Sequence, residues 1–129
     1  MKDMLNELME ELATDSEIKA IQEEEGFKSY IRRDELAKDK TSITVIPSGP
    51  PESAGFASND SLAKHFVYQV SIEAAEREIP KTLQRKVENI LKSKGFYQMP
   101  GGVDEYFPTT QRYVDARFYQ GNSSLNDDY

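Results

Sequence analysis

The residues of this sequence whose types could carry chemistry are few and scattered. His65 is the single histidine, set beside Lys64 at the start of an alternating apolar stretch. A general base or metal ligand needs a positioned partner, and no neighbour supplies one, so His65 reads as a strand-end histidine. Asp104 and Glu105 could ligate a cation or act as an acid–base pair. Adjacent residues rarely converge on one ion without further ligands, and no D-x-D or E-x-x-H arrangement occurs. Ser53 in PESAG lacks the G-x-S-x-G frame of a nucleophile elbow. Pro100–Gly101–Gly102 lacks the spacing and the following Lys-Ser/Thr of a phosphate loop, and reads as a tight turn. With no cysteine there is no thiolate site and no disulfide framework. The expectation is a chain without catalytic, cofactor or metal residues.

What remains is surface chemistry. Lys81, Arg85, Lys86, Lys92 and Lys94 make one helix basic. A platform for single-stranded nucleic acid interleaves aromatics with bases, and this helix has none, so a solvated or subunit-facing surface is the better reading. Tyr97, Tyr106, Phe107, Tyr113 and Tyr119 gather around the segment 98–111 and the strand after it. They serve either a protein interface, where aromatics are enriched, or the domain's own second layer. The candidate interface set is Lys81, Arg85, Lys86, Tyr106, Phe107, Tyr113, Arg117 and Tyr119.

The elements that must position these residues are legible from periodicity. Leu5, Leu8, Met9 and Leu12 form an amphipathic helical stripe, and Asp15 or Ser16 can cap a second short helix carrying Ile18 and Ile21. Phe27, Tyr30 and Ile31 mark a short apolar segment before a charged turn over 32–40. Three stretches read as strands: 41–47, 65–74 and 112–119. In the second, Phe66, Tyr68, Val70 and Ile72 share a face. In the third, Val114, Ala116 and Phe118 oppose the more polar Tyr113, Asp115, Arg117 and Tyr119. Between these two strands, Pro80 suits a helix's first turn, Leu83, Val87, Ile90 and Leu91 form its stripe, and Gly95 its αL cap. Segments 48–64 and 98–111 read as long loops, and 122–129 as a flexible tail behind a single domain of residues 1–121. The fold class is therefore α+β: a small, mostly antiparallel or mixed sheet with two main helices on one face, and long loops.

Composition bounds the function. The 129 residues suit one core, 37% are hydrophobic and 30% charged, and no apolar run has the length of a membrane span. The formal charge is −7, which disfavours stable sequence-general binding to nucleic acid. Residues 1–30 hold nine acids and three bases, whereas 76–103 hold six bases and three acids. These segments are either faces that meet between subunits or separately solvated helices.

The order of elements, with FVYQVSIEAAE, IPKTLQRKVENILKSKGF, MPGGVDEYFPTTQRYV and the final ARFYQG, resembles the tail-terminator and tail-completion proteins of siphophages over roughly residues 1–121. In that family a V-x-V-x-I strand precedes a helix ending in lysine and glycine, and a Gly-containing loop leads to the last strand. The proline-rich stretch Gly49–Pro51 departs from the pattern. The resemblance implies a non-enzymatic subunit that forms a hexameric ring on the end of the tail tube, at the head–tail junction of the virion. Its partners would be further copies of itself, the tail tube protein and the head connector or stopper protein, with DNA passing through the ring unbound. A head-side connector or stopper subunit, and a cytoplasmic protein-binding adaptor, are the alternative readings.

Overall fold

The computed structural model describes all residues except 33–35, 38, 58, 59, 125 and 126, together with every side chain outside these and 55–57 and 60–62. The chain runs α1 (Met4–Leu12), α2 (Ser16–Glu23), β1 (Phe27–Ser29), β2 (Ser42–Pro47), β3 (Glu52–Ala57), β4 (Asp60–Ala74), α3 (Glu78–Ser93), β5 (Tyr97–Phe107) and β6 (Arg112–Asn122). The charged turn expected over 32–40 falls partly outside the described residues.

Local chemistry sets the helix ends. Asp3 Oδ1 accepts from the Asn6 N–H at 3.3 Å, and Asp15 Oδ1 accepts from the Glu17 and Ile18 N–H groups at 2.9 and 3.1 Å. Each satisfies donors that the first turn leaves open. At the end of α3, Gly95 takes φ +81°, and the Gly95 and Phe96 N–H groups return to the carbonyls of Lys92 and Leu91. That is the left-handed cap the sequence anticipates. It turns Phe96 directly into the core, where its ring lies 6.0 Å from Tyr68.

The strands form one mixed sheet in the order β1-β2-β4-β6-β5, with β3 pairing the first half of β4. Only the β1–β2 pairing is parallel; the others are antiparallel. Ile43 and Val45 of β2 lie level with Ile72 and Val70 of β4, and these join Tyr68, Phe66 and Phe27 on one buried face. Met4, Leu8 and Leu12 of α1, Ile18 of α2, and Leu83, Val87 and Leu91 of α3 cover that face. Each such side chain contributes about 1.5–3 kcal/mol by leaving water. The α+β class and the helices on one face are as the periodicity indicates.

The two expected long loops are instead strands and turns. Segment 48–64 supplies β3 and the start of β4, a hairpin in which Glu52 pairs with His65 and Ala54 with Ala63. His65 thus sits inside a strand rather than at its start, with Nδ1 2.6 Å from Asn122 Oδ1 on β6. Segment 98–111 supplies most of β5, paired with β6 from Tyr97–Gln120 to Phe107–Arg112. Pro100–Gly101–Gly102 is a bulge within β5, not a turn: the register shifts between Met99 and Val103. Gly102 holds φ +118°, and a Cβ there would collide with the Ala116 carbonyl oxygen, so glycine permits both the dihedral and the approach.

The end of the chain returns to its start. The Ser123 N–H donates to the Lys64 carbonyl at 2.8 Å, and the Lys2 N–H to the Asp128 carbonyl at 2.6 Å. The Tyr129 ring meets Phe66 edge-on at 5.5 Å. The described part of the segment expected as a tail is therefore docked on the domain.

Candidate assembly surface

The faces of β6 are decided by what α3 offers them. Because Tyr68, Val70 and Ile72 are buried and stand opposite Tyr119, Arg117 and Asp115, the polar set of β6 faces the helices. Val114, Ala116 and Phe118 lie on the other side. Hydrophobicity alone would instead turn Val114, Ala116 and Phe118 towards the core. The cause is on α3, whose inward stripe includes Gln84 and Lys81. The Gln84 amide donates to the carbonyls of Val70 at 2.7 Å and Asp115 at 2.9 Å, and its Oε1 accepts from the Tyr119 hydroxyl at 2.9 Å. Asp115, 3% exposed, accepts from Arg117 Nε at 2.9 Å and Nη2 at 3.2 Å, and from Lys81 Nζ at 3.4 Å. Lys81 reaches across to Asp104 of β5 at 2.7 Å. Asp115 raises the Arg117 pKa above its ordinary range, while burial raises that of the Tyr119 hydroxyl and keeps it a neutral donor.

This network divides the candidate residues. Tyr119 is fully buried and serves the core. Lys81 and Arg117 are committed to Asp104 and Asp115. Lys86 pairs with Glu17 at 2.8 Å and Asp15 at 3.5 Å, so the acidic N-terminal region and the basic helix meet within one chain. That contact, chiefly the hydrogen bond Lys86 donates to Glu17, raises the Lys86 pKa. Arg85 stands exposed on the outer side of α3. The rings of Tyr106 and Tyr113 meet at 4.7 Å, tilted by 49°, on the helix side of the hairpin's far end, with Tyr106 still 47% exposed. Phe107 lies across from Arg112 on the opposite side.

Among the described residues, no helix lies over that opposite side of the sheet. Tyr97, Met99, Val103, Glu105 and Phe107 of β5 share it with Val114, Ala116 and Phe118 of β6 and with Val67 of β4, by the strand registers. Tyr97, Val103 and Phe107 are exposed, and Val67, Met99, Val114 and Phe118 are half-buried. Near β2 the face is partly closed, for Arg32 Nε donates to Ser42 Oγ at 3.1 Å. Met99, Val103 and Phe118 are not among the candidates the sequence offers, and Tyr97 enters there only with the aromatic cluster. The signal was the apolar alternation at 114–118, which marks a face without saying what covers it.

Asp104 and Glu105 point to opposite sides of the sheet and cannot converge on one ion. Among the described residues no group of three or more His, Cys, Asp or Glu is arranged around a cation, and no helix is long and apolar enough to cross a membrane. One consequence concerns pH. The hydrogen bond from Lys81 lowers the Asp104 pKa below its ordinary value of 3.8. A depressed carboxyl stabilises the fold fully above its unfolded value and loses that contribution as pH falls through the folded one. Asp104→Asn is therefore expected to melt below wild type at neutral pH, with the gap closing as pH falls below the ordinary carboxylate range. Thermal melts of both proteins across pH check this; a gap unchanged at the acid end would refute it.

No protein-family model matches the chain, and no curated protein matches it. Among solved structures it is similar to a chain in the virion of a native gene transfer agent particle, with 10% identity, a TM-score of 0.53, and coverage of 89% of this chain and 90% of that one. At that identity the likeness is one of fold.

Proposed function

We propose that this protein is a structural subunit of a phage-like virion, and that it acts as a tail terminator. Copies assemble into a hexameric ring that caps the tail tube and joins it to the head connector, and DNA passes through the ring without stable binding. The subunit works by assembly and not by catalysis. The observation that carries this reading is the helix-free sheet face lined by Tyr97, Val103 and Phe107, each exposed. Contiguous apolar surface of this kind marks a protein interface. The fold likeness to a chain of a gene transfer agent virion supports the particle context, and the ordered motifs from FVYQVSIEAAE to ARFYQG support the terminator role.

Light scattering on the purified chain tests the reading against the 14.7 kDa subunit mass. The expected species is about six subunits, from a heterologous contact that closes by rotation, and its addition should arrest elongation of tail tube protein. A ring that binds a connector assembly and leaves tube growth untouched would assign it to the head side. A monomer at all concentrations, without effect on either, would leave a protein-binding adaptor.

A further inference from the structure

Among the described residues, the exposed large hydrophobic side chains are not spread over the surface. Apart from Met1 they are Tyr30, Ile31, Tyr97, Val103, Tyr106 and Phe107. Tyr30 and Ile31 directly follow β1, and the other four lie on β5. These are the two terminal strands of the sheet order, so the apolar surface is concentrated at opposite edges of one sheet. Strand edges carry backbone donors and acceptors that template pairing with another chain. At the β1 edge the Gly26 carbonyl accepts from the Ile43 N–H, and the Tyr30 N–H donates to the Val45 carbonyl. By alternation, the backbone groups of Phe27 and Ser29 point away from β2.

Charge supplies the pairing rule. Lys28 stands level with Thr44, and Thr44 with Ser71, which puts Lys28 on the helix-free side. Glu105 stands level with Val114 on that same side. Both are exposed, and among the described residues neither has an ion-pair partner. One edge thus presents a lone base and the other a lone acid, on a common face. Direction agrees as well. The pairings make β1 run with β2, and β5 opposite to it. Rotation about an axis roughly along the strands keeps these directions, so β1 of one copy meets β5 of the next antiparallel, the more favourable ladder. Pairing β5 with itself across a two-fold would instead set Glu105 near its own copy, a destabilising like-charge pair.

We infer that β5 of one subunit adds to β1 of the next, with Glu105 beside Lys28, so that a single sheet runs on through the assembled ring. This rests on the ring reading above and names its contact. The chain has no cysteine, so Lys28→Cys and Glu105→Cys each supply one unambiguous thiol. The two variants, mixed as monomers, allowed to assemble and treated with a short bis-maleimide, should give covalent dimers that neither variant gives alone. Lys28→Glu or Glu105→Lys alone should weaken assembly by about fivefold per contact, and the double exchange should restore it. A hexamer that forms normally in every variant, without 28–105 cross-links, overturns the edge contact and leaves the ring standing. Dimers in the Glu105→Cys sample alone would show the two-fold arrangement instead. Wild-type protein that stays monomeric at all concentrations overturns both.

Discussion

Tyr119→Ala is expected to cost about 4 kcal/mol of folding stability, within the range for removing a buried aromatic ring. The ring is fully buried beneath α3 and lies on β6 opposite Tyr68, so its loss opens a cavity at the centre of the core. It also strips the hydroxyl from Gln84 Oε1, leaving a buried acceptor without that donor. Total stabilities are of order 5–15 kcal/mol, so the variant should melt roughly 10–20 °C lower or accumulate in insoluble form. Tyr119→Phe, which keeps the ring, should cost about 1–2 kcal/mol. The contrast is with Phe107→Ala, on exposed surface, which should leave the subunit's melting temperature within a few degrees and act on assembly. Thermal melts of the three variants, beside light scattering, decide the matter. A soluble Tyr119→Ala protein with wild-type melting and lost assembly would return Tyr119 to the interface.

Asp115→Ala carries the second large effect. The carboxylate is 3% exposed and is shared by Arg117 and Lys81, so its removal strands Arg117 against the sheet and leaves Lys81 with Asp104 alone. Breaking a buried pair from one side costs about 3–5 kcal/mol. Both cations keep over a quarter of their side-chain surface in solvent, which reduces the expectation to about 2–4 kcal/mol. Asp115→Asn, which still accepts a hydrogen bond, should lie between the two proteins. Chemical denaturation gives the values directly. If Asp115→Ala were neutral, the cluster would be a set of solvated charges and not a constraint.

How much of this the sequence reveals depends on how local the determining physics is. The caps at Asp15 and Gly95 and the stripe of Leu83, Val87 and Leu91 depend on residues within a turn or two, and they stand where periodicity puts them. The buried face of β4 is legible because its alternation is unambiguous. β5 is not, because Pro100, Gly101 and Gly102 resemble a break in structure, while the partner that tolerates the bulge is a strand further along the chain. β3 is short of β-branched residues in ESAGFA and is held by its ladder to β4. The ion pairs of Lys81 and Lys86 join segments 23 to 71 residues apart, so a basic helix read alone looks free to meet another subunit. The apolar edges are a property of strand order, and strand order has no local signature.

The Gln84 amide has a consequence beyond the three hydrogen bonds it makes. The other side of β6, with Val114, Ala116 and Phe118, is the more oily of the two, and on hydrophobicity alone it would compete to fill the core. A slip of one residue against β4 exchanges the two sides. In that shifted state Tyr119 would leave Gln84, and Asp115 would abandon Lys81. A polar stripe on the helix thus discriminates between two compact arrangements of nearly equal greasiness, and it is this energy gap, more than any added strength, that gives the chain one native state.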